Sequence, residues 1–173
     1  MVAVRSAGLL LFRERADDGD GGDGSTGGAG GAGFEVLIAH MGGPFWQDRD
    51  AAAWSVPKGQ YTSEEEPAAA ARREFEEELG LAPPPGEWLP LGEARQPNGK
   101  IVTIWALAGD LDTSLVVPGT FTTEWPPHSG LTREFPEVDR AEWFTPEEAR
   151  HRLVAGQRVF LDRLAELLAA EGR

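Results

Sequence analysis

A short stretch of the chain gathers three carboxylates that could share a cation, Glu74, Glu77 and Glu78, with Arg73 beside them and Glu65 upstream. On a helix each residue turns by about 100°, so Glu74, Glu77 and Glu78 fall within an arc of about 100°. Three carboxylates at i, i+3 and i+4 repel one another, and a cation on that face would relieve the repulsion. Oxygen ligands alone suit a hard ion, so Mg²⁺ or Mn²⁺ fits better than zinc. Arg73 lies four residues before Glu77 and is spaced to hold its carboxylate. The competing reading is a solvated acidic face, the usual fate of a charge run.

These spacings matter only if the stretch is helical, and its composition says that it is. The alanines from Ala68 to Ala71 are the best helix formers, and Glu and Arg follow closely. Ser63 and Glu66 have the spacing of a capping box, with acidic residues expected in the first turn. Pro67 belongs in that turn, where a missing N–H is tolerated. Gly80 after Leu79 is a stop signal. Ala68, Ala71, Phe75 and Leu79 share an arc of about 80° and form the expected buried stripe beside the glutamates.

The stretch from Gly59 to Leu81 resembles the Nudix box: Gly, five residues, Glu, seven residues, then Arg-Glu-apolar-any-Glu-Glu-any-Gly-apolar. Gly59, Glu65, Arg73, Glu74, Phe75, Glu77, Glu78, Gly80 and Leu81 occupy every required place. The resemblance implies an α/β (α+β) fold, an α/β/α sandwich with a mixed β-sheet, over roughly Ser6 to Ala170. It also implies roles. Glu77 and Glu78 bind Mg²⁺ (or Mn²⁺), and Glu74 ligates metal or takes the proton of the attacking water. Arg73 orients a box glutamate. Glu65 supports the loop or binds metal. Gly59 and Gly80 permit loop geometry that side chains would obstruct. Lys58, just before the box, is placed to contact a phosphate, or else is a solvated lysine. The Pro57-Lys58-Gly59 lead-in resembles dinucleoside polyphosphate hydrolases more than the oxidised-nucleotide sanitisers. Similar proteins draw one more acidic ligand, or the base, from a late loop. Glu134 and Glu137 are the candidates, with Glu124 third.

Composition limits the alternatives. With 173 residues the chain is long enough for a single domain with a sizeable core. Its formal charge of −13 argues against a nucleic-acid polymer as partner. An anionic substrate would need bound metal and local lysine or arginine to offset that field. Cysteine is absent, which excludes disulfides and thiolate chemistry and fits a reducing cytosol. No segment approaches the ~20 apolar residues of a membrane span, and the first apolar run is too short for a signal peptide. A cytoplasmic protein with no membrane partner is expected, either a monomer or a homodimer.

The remaining elements have to position the box. Strands are expected at Val2 to Phe12 and Phe34 to Ala39, paired antiparallel. The Gly/Asp-rich run at about 17–33 cannot bury enough apolar area to offset its ordering and reads as a flexible loop. Phe45 and Trp46 follow in a Gly-Pro loop, where they could stack on a base or pack over the sheet. Trp54 to Gly59 leads into the box. Trp88 to Arg95 and Lys100 to Ala108 form a hairpin about Asn98-Gly99, and Arg95 or Lys100 could face a polyphosphate. Further strands are expected at Gly119 to Trp125 and around Trp143-Phe144. Two helices close the chain, from Pro146 behind an N-cap Thr145 and from Val159 to Ala170. The three histidines form no spaced pair and none is assigned to catalysis.

The function expected from the resemblance is metal-dependent hydrolysis of a phosphoanhydride in a nucleotide, leaning to dinucleoside polyphosphates such as diadenosine tetraphosphate. A nucleoside triphosphate or nucleotide-sugar pyrophosphohydrolase is the alternative enzyme. A non-catalytic nucleotide-sensing module is the alternative class, and it should have lost box glutamates, whereas this chain has kept them all. Deleting Asp17 to Gly33 should leave the melting temperature and turnover nearly unchanged. A thermal melt and an activity assay of the deletion variant check this.

Overall fold

A computed structural model describes residues 3–15 and 33–172. The expected loop at about 17–33 lies outside the described residues, except Gly33. Two layers of helix enclose a mixed seven-stranded sheet, as the sandwich reading requires. The strands are β1 (Arg5–Glu14), β2 (Phe34–Met41), β3 (Trp54–Ser55), β4 (Lys58–Tyr61), β5 (Trp88–Arg95), β6 (Ile101–Ala108) and β9 (Val138–Phe144). A separate two-stranded hairpin holds β7 (Thr120–Glu124) and β8 (Thr132–Pro136). The helices are α1 (Pro67–Leu79), α2 (Pro146–Arg152) and α3 (Arg158–Ala170).

Strand β1 is the centre. It runs parallel to β6, with Arg5 opposite Ile101 and Phe12 opposite Ala108. Its other edge is shared by β4, from Arg5 to Gly8, and by β2, from Phe12 to Glu14, both antiparallel. A strand covered on both faces needs apolar residues at successive positions, and Leu9 to Phe12 supply them. Leu9 and Leu11 face one layer with Leu37, Ala39, Phe75 and Leu79 of β2 and α1. Leu10 and Phe12 face the other with Val36, Ile38, Phe160 and Leu164 of β2 and α3.

Helix α1 ends as expected, with Gly80 at φ 70 donating its N–H to the Glu76 carbonyl. Its start differs. Glu66 is the N-cap, Pro67 opens the helix, no side chain caps it, and its first turn holds no acidic residue. The expected Ser63 capping box is therefore absent, because the loop turns before Pro67 and leaves Ser63 outside the helix. The buried stripe also shifts. Ala70 is buried with Ala71, Phe75 and Leu79, while Ala68 is exposed in the first turn. Helix α2 has the cap foreseen for it: Thr145 Oγ1 accepts from the Glu148 N–H, and the Glu148 carboxylate accepts from the Thr145 N–H.

The β5–β6 hairpin closes through the expected turn, where the Gly99 N–H meets the Gln96 carbonyl at 2.9 Å. No helix among the described residues is long and apolar enough to cross a membrane. Phe75 is fully buried and fastens α1 to the sheet. Phe75→Ala should cost about 3–5 kcal/mol of folding stability, measured by urea denaturation.

Candidate active site

The box glutamates are arranged about one guanidinium. Arg73 Nε and Nη2 donate to the two oxygens of Glu65, each at 2.9 Å, as a bidentate fork. Nη1 reaches Glu74 at 2.7 Å and Glu77 at 3.4 Å, and Nη2 also reaches the Gln60 carbonyl at 3.2 Å. One side chain on α1 thus ties the loop before the helix to two carboxylates on it. The hydrogen bonds to Glu65 hold the Arg73 guanidinium well above its usual range, and the same pairing draws Glu65 below the usual carboxylate range.

Glu78 lies deeper. Its Oε2 accepts from the Lys58 N–H at 3.2 Å. Burial, with smaller contributions from Glu74 and Glu137, raises its carboxyl to about 8, against the pull of Lys58. Burial likewise lowers the Lys58 ammonium, although Glu78 and Glu74 oppose the shift and Lys100 adds to it. Both members of this pair are dominated by the cost of leaving water. Glu137 joins the site from the turn between β8 and β9. Its carboxyl is raised first by burial, then by Glu74 and Glu77.

The structure separates the three late acids that the sequence left open. Glu137 couples to the box, and its N–H donates to the Gly119 carbonyl, while the Gly119 N–H donates to Glu77 O. Glu134 and Glu124 sit out on the β7–β8 hairpin, opposite Thr122 and Thr132, and are exposed. Gly59 has a concrete reason to be glycine: a Cβ there would land on the Glu74 carboxylate.

The donor chemistry fits a hard divalent ion. Glu74, Glu77, Glu78 and Glu137 are oxygen donors crowded with like charge, and burial and mutual repulsion push two of them toward protonation. Among the described residues no three acidic or imidazole side chains are already gathered to hold an ion. Glu74 and Glu77 are instead turned to Arg73.

Two positioning residues escaped the sequence reading. Gln157 is buried. Its Oε1 accepts from the Val56 N–H at 2.8 Å and its Nε2 donates to Ser55 Oγ at 2.9 Å, bracing the lead-in to Lys58. His40 is buried between Asp139, 2.9 Å from Nδ1, and the Arg49 carbonyl, 2.5 Å from Nε2. It ties the loop after β2 to the strand that begins beyond Glu137. Neither has a local sequence signal, because each partner lies far along the chain or in an irregular loop.

The sequence profile of the NUDIX domain matches residues 28–164. The chain belongs to the Nudix family of pyrophosphohydrolases. Solved structures share this fold. An Ap4A hydrolase binary complex from C. elegans is 19% identical, covers 95% of this chain and 98% of its own, and has a TM-score of 0.61. A mutT/nudix family protein from Listeria innocua is 16% identical, covering 97% and 95%, with a TM-score of 0.59. The NUDIX domain of Shewanella oneidensis NrtR, complexed with ADP ribose, is 13% identical, covering 97% and 90%, with a TM-score of 0.57. A search among curated proteins finds no match.

For this Nudix protein the raised Glu78 carboxyl has a sign that can be checked. Between about 4.5 and about 8 it is protonated in the folded chain and ionised in the unfolded one. The unfolded state then binds fewer protons, so the stability of the metal-free protein should fall as pH rises through that window. Glu78→Gln should flatten the fall, measured by denaturation at a series of pH values. Gly59→Ala should cut turnover by an order of magnitude or more while the circular dichroism spectrum is kept.

Proposed function

We propose that the protein hydrolyses a phosphoanhydride bond in a dinucleoside polyphosphate, of which diadenosine tetraphosphate is the type. Glu74, Glu77 and Glu78 would hold Mg²⁺ or Mn²⁺, with Glu137 and Glu65 as further oxygen donors. A bound divalent ion neutralises charge on the phosphates and lowers the pKa of water. The chain's own residues supply the rest. Glu74, fixed by Arg73 at 2.7 Å and packed against Gly59, would either complete the metal ligands or take a proton from water. Arg73 keeps it oriented, and Glu65 keeps Arg73 oriented.

The observation that carries the substrate class is a cavity of about 590 Å³ beside Gly59, lined by Lys58, Lys100, Gln96 and Gln157 among others. Neither lysine side chain makes an ion pair among the described residues. Two lysines on one hollow, Lys58 coupled to Glu78 and Lys100 beside it, suit a polyanion longer than a single phosphate in a chain of formal charge −13. The Pro57-Lys58-Gly59 lead-in and the fold shared with an Ap4A hydrolase support the same reading.

A rate panel with Mg²⁺ decides it. Diadenosine tetraphosphate should give a higher kcat/KM than nucleoside triphosphates or nucleotide sugars, and dominant triphosphate activity would overturn the assignment. Glu77→Gln should lower kcat by orders of magnitude with the melting temperature little changed. Retained activity would remove Glu77 from the metal set.

A further inference from the structure

The β7–β8 hairpin and the loop after β2 carry aromatic rings that neither the core nor the box uses. Phe45 is 62% exposed and meets Trp125 edge-on, with ring centroids 5.4 Å apart. Phe121 and Phe135 face each other across the hairpin at 6.2 Å. Leu131 near the tip is 63% exposed. Phe45 is exposed and Trp125, Phe121 and Phe135 are half-buried, so the rings form a strip reachable from solvent, and contiguous apolar surface of this kind marks binding sites.

The strip is continuous with the site. Gly42 donates its N–H to the Glu137 carbonyl at 2.9 Å. Gly43, at φ 94, lies against the Phe121 ring. Phe45 then reaches Trp125. From Thr120, opposite Pro136, to Trp125 is five strand steps, or ~16 Å. The loop is also braced. The Arg49 carbonyl is held by His40, Trp46 packs against the core, and Arg49 N–H meets Trp46 O at 3.0 Å. Phe45 is therefore presented outward from an anchored loop.

We propose that Phe45 and Trp125 form a stacking platform for a nucleobase of the substrate, the base remote from the bond cleaved beside Glu137. Every base has a π-face, so such a platform needs no hydrogen-bond code, and its use is gain in affinity. The inference rests on the nucleotide reading above, though not on which nucleotide is preferred.

Steady-state rates with diadenosine tetraphosphate, and inhibition of the same reaction by inorganic tripolyphosphate, test it in the wild type and Phe45→Ala. The expected result is a KM raised about tenfold, kcat within about twofold and unchanged tripolyphosphate inhibition, with Phe45→Tyr restoring KM. An unchanged KM, or weakening of tripolyphosphate to the same degree, would overturn the platform. Binding without turnover separates this from the substrate assignment. Adenosine should quench tryptophan fluorescence in the wild type, and the quench should be lost in Trp125→Phe even if dinucleotides prove poor substrates. Absence of any quench would overturn it. So would sedimentation showing a dimer that Phe45→Asp splits, which would give the patch to a second copy of the chain.

Discussion

The site depends on one cation standing among carboxylates. Arg73 spends its whole donor fork on Glu65, Glu74, Glu77 and a carbonyl of the preceding loop. A lysine could neutralise one of these carboxylates but could not hold the plane of Glu65 and the angle of Glu74 together. In a chain with 29 acidic and 16 basic residues, that orientation is what separates a binding arrangement from mutual repulsion. The carboxylates outside the fork, Glu78 and Glu137, are the ones whose protonation rises.

Around this cation the backbone comes unusually close, and glycines allow it. Gly59 leaves room for the Glu74 carboxylate. Gly80 turns the chain in the left-handed region where a Cβ would meet the Val117 carbonyl. Residues 117–119 then run along the end of α1: the Val117 N–H bonds to Leu79 O and the Gly119 N–H to Glu77 O. This strap carries the chain from the box helix to the Glu137 turn, so the late carboxylate is registered against α1 by main-chain hydrogen bonds. Gln157 does the same for the other flank, holding Ser55 and Val56 from the far end of the chain.

Much of this was legible in order of residues. Trp88 to Arg95 ends before Asn98-Gly99, so the hairpin follows from turn chemistry, whereas the bulge between Pro90 and Glu93 that breaks the strand's alternation does not. Glu74, Glu77 and Glu78 are read by helical spacing because α1 carries them, whereas Gly59 and Glu65 precede the helix. What failed was local detail decided elsewhere. Ser63 has the right type for a cap, yet Pro67 fixes the start of α1 and leaves Ser63 outside it. Ala68 and Ala70 have equal propensity, and only the position of β1 under the helix selects Ala70. That Glu137 lies beside the box and Glu134 does not depends on the pairing of β7 with β8, which carries Glu134 away. His40 looked like any isolated histidine because its partners, Asp139 and Arg49 O, meet only once β2 and β9 are side by side.

The parallel union of β1 with β6 also sets a schedule for the nascent polypeptide. Strand β1 has its long hydrophobic edge completed only when Ile101 to Ala108 arrive. Until then the Leu9–Phe12 run is an exposed apolar segment able to pair wrongly, and pairings so distant in sequence are slow to form. Antiparallel β2 and β4 can pair sooner, but with the opposite edge of β1. Truncated products ending before β6 would consequently be chaperone clients or precipitates, even though they contain the entire catalytic box.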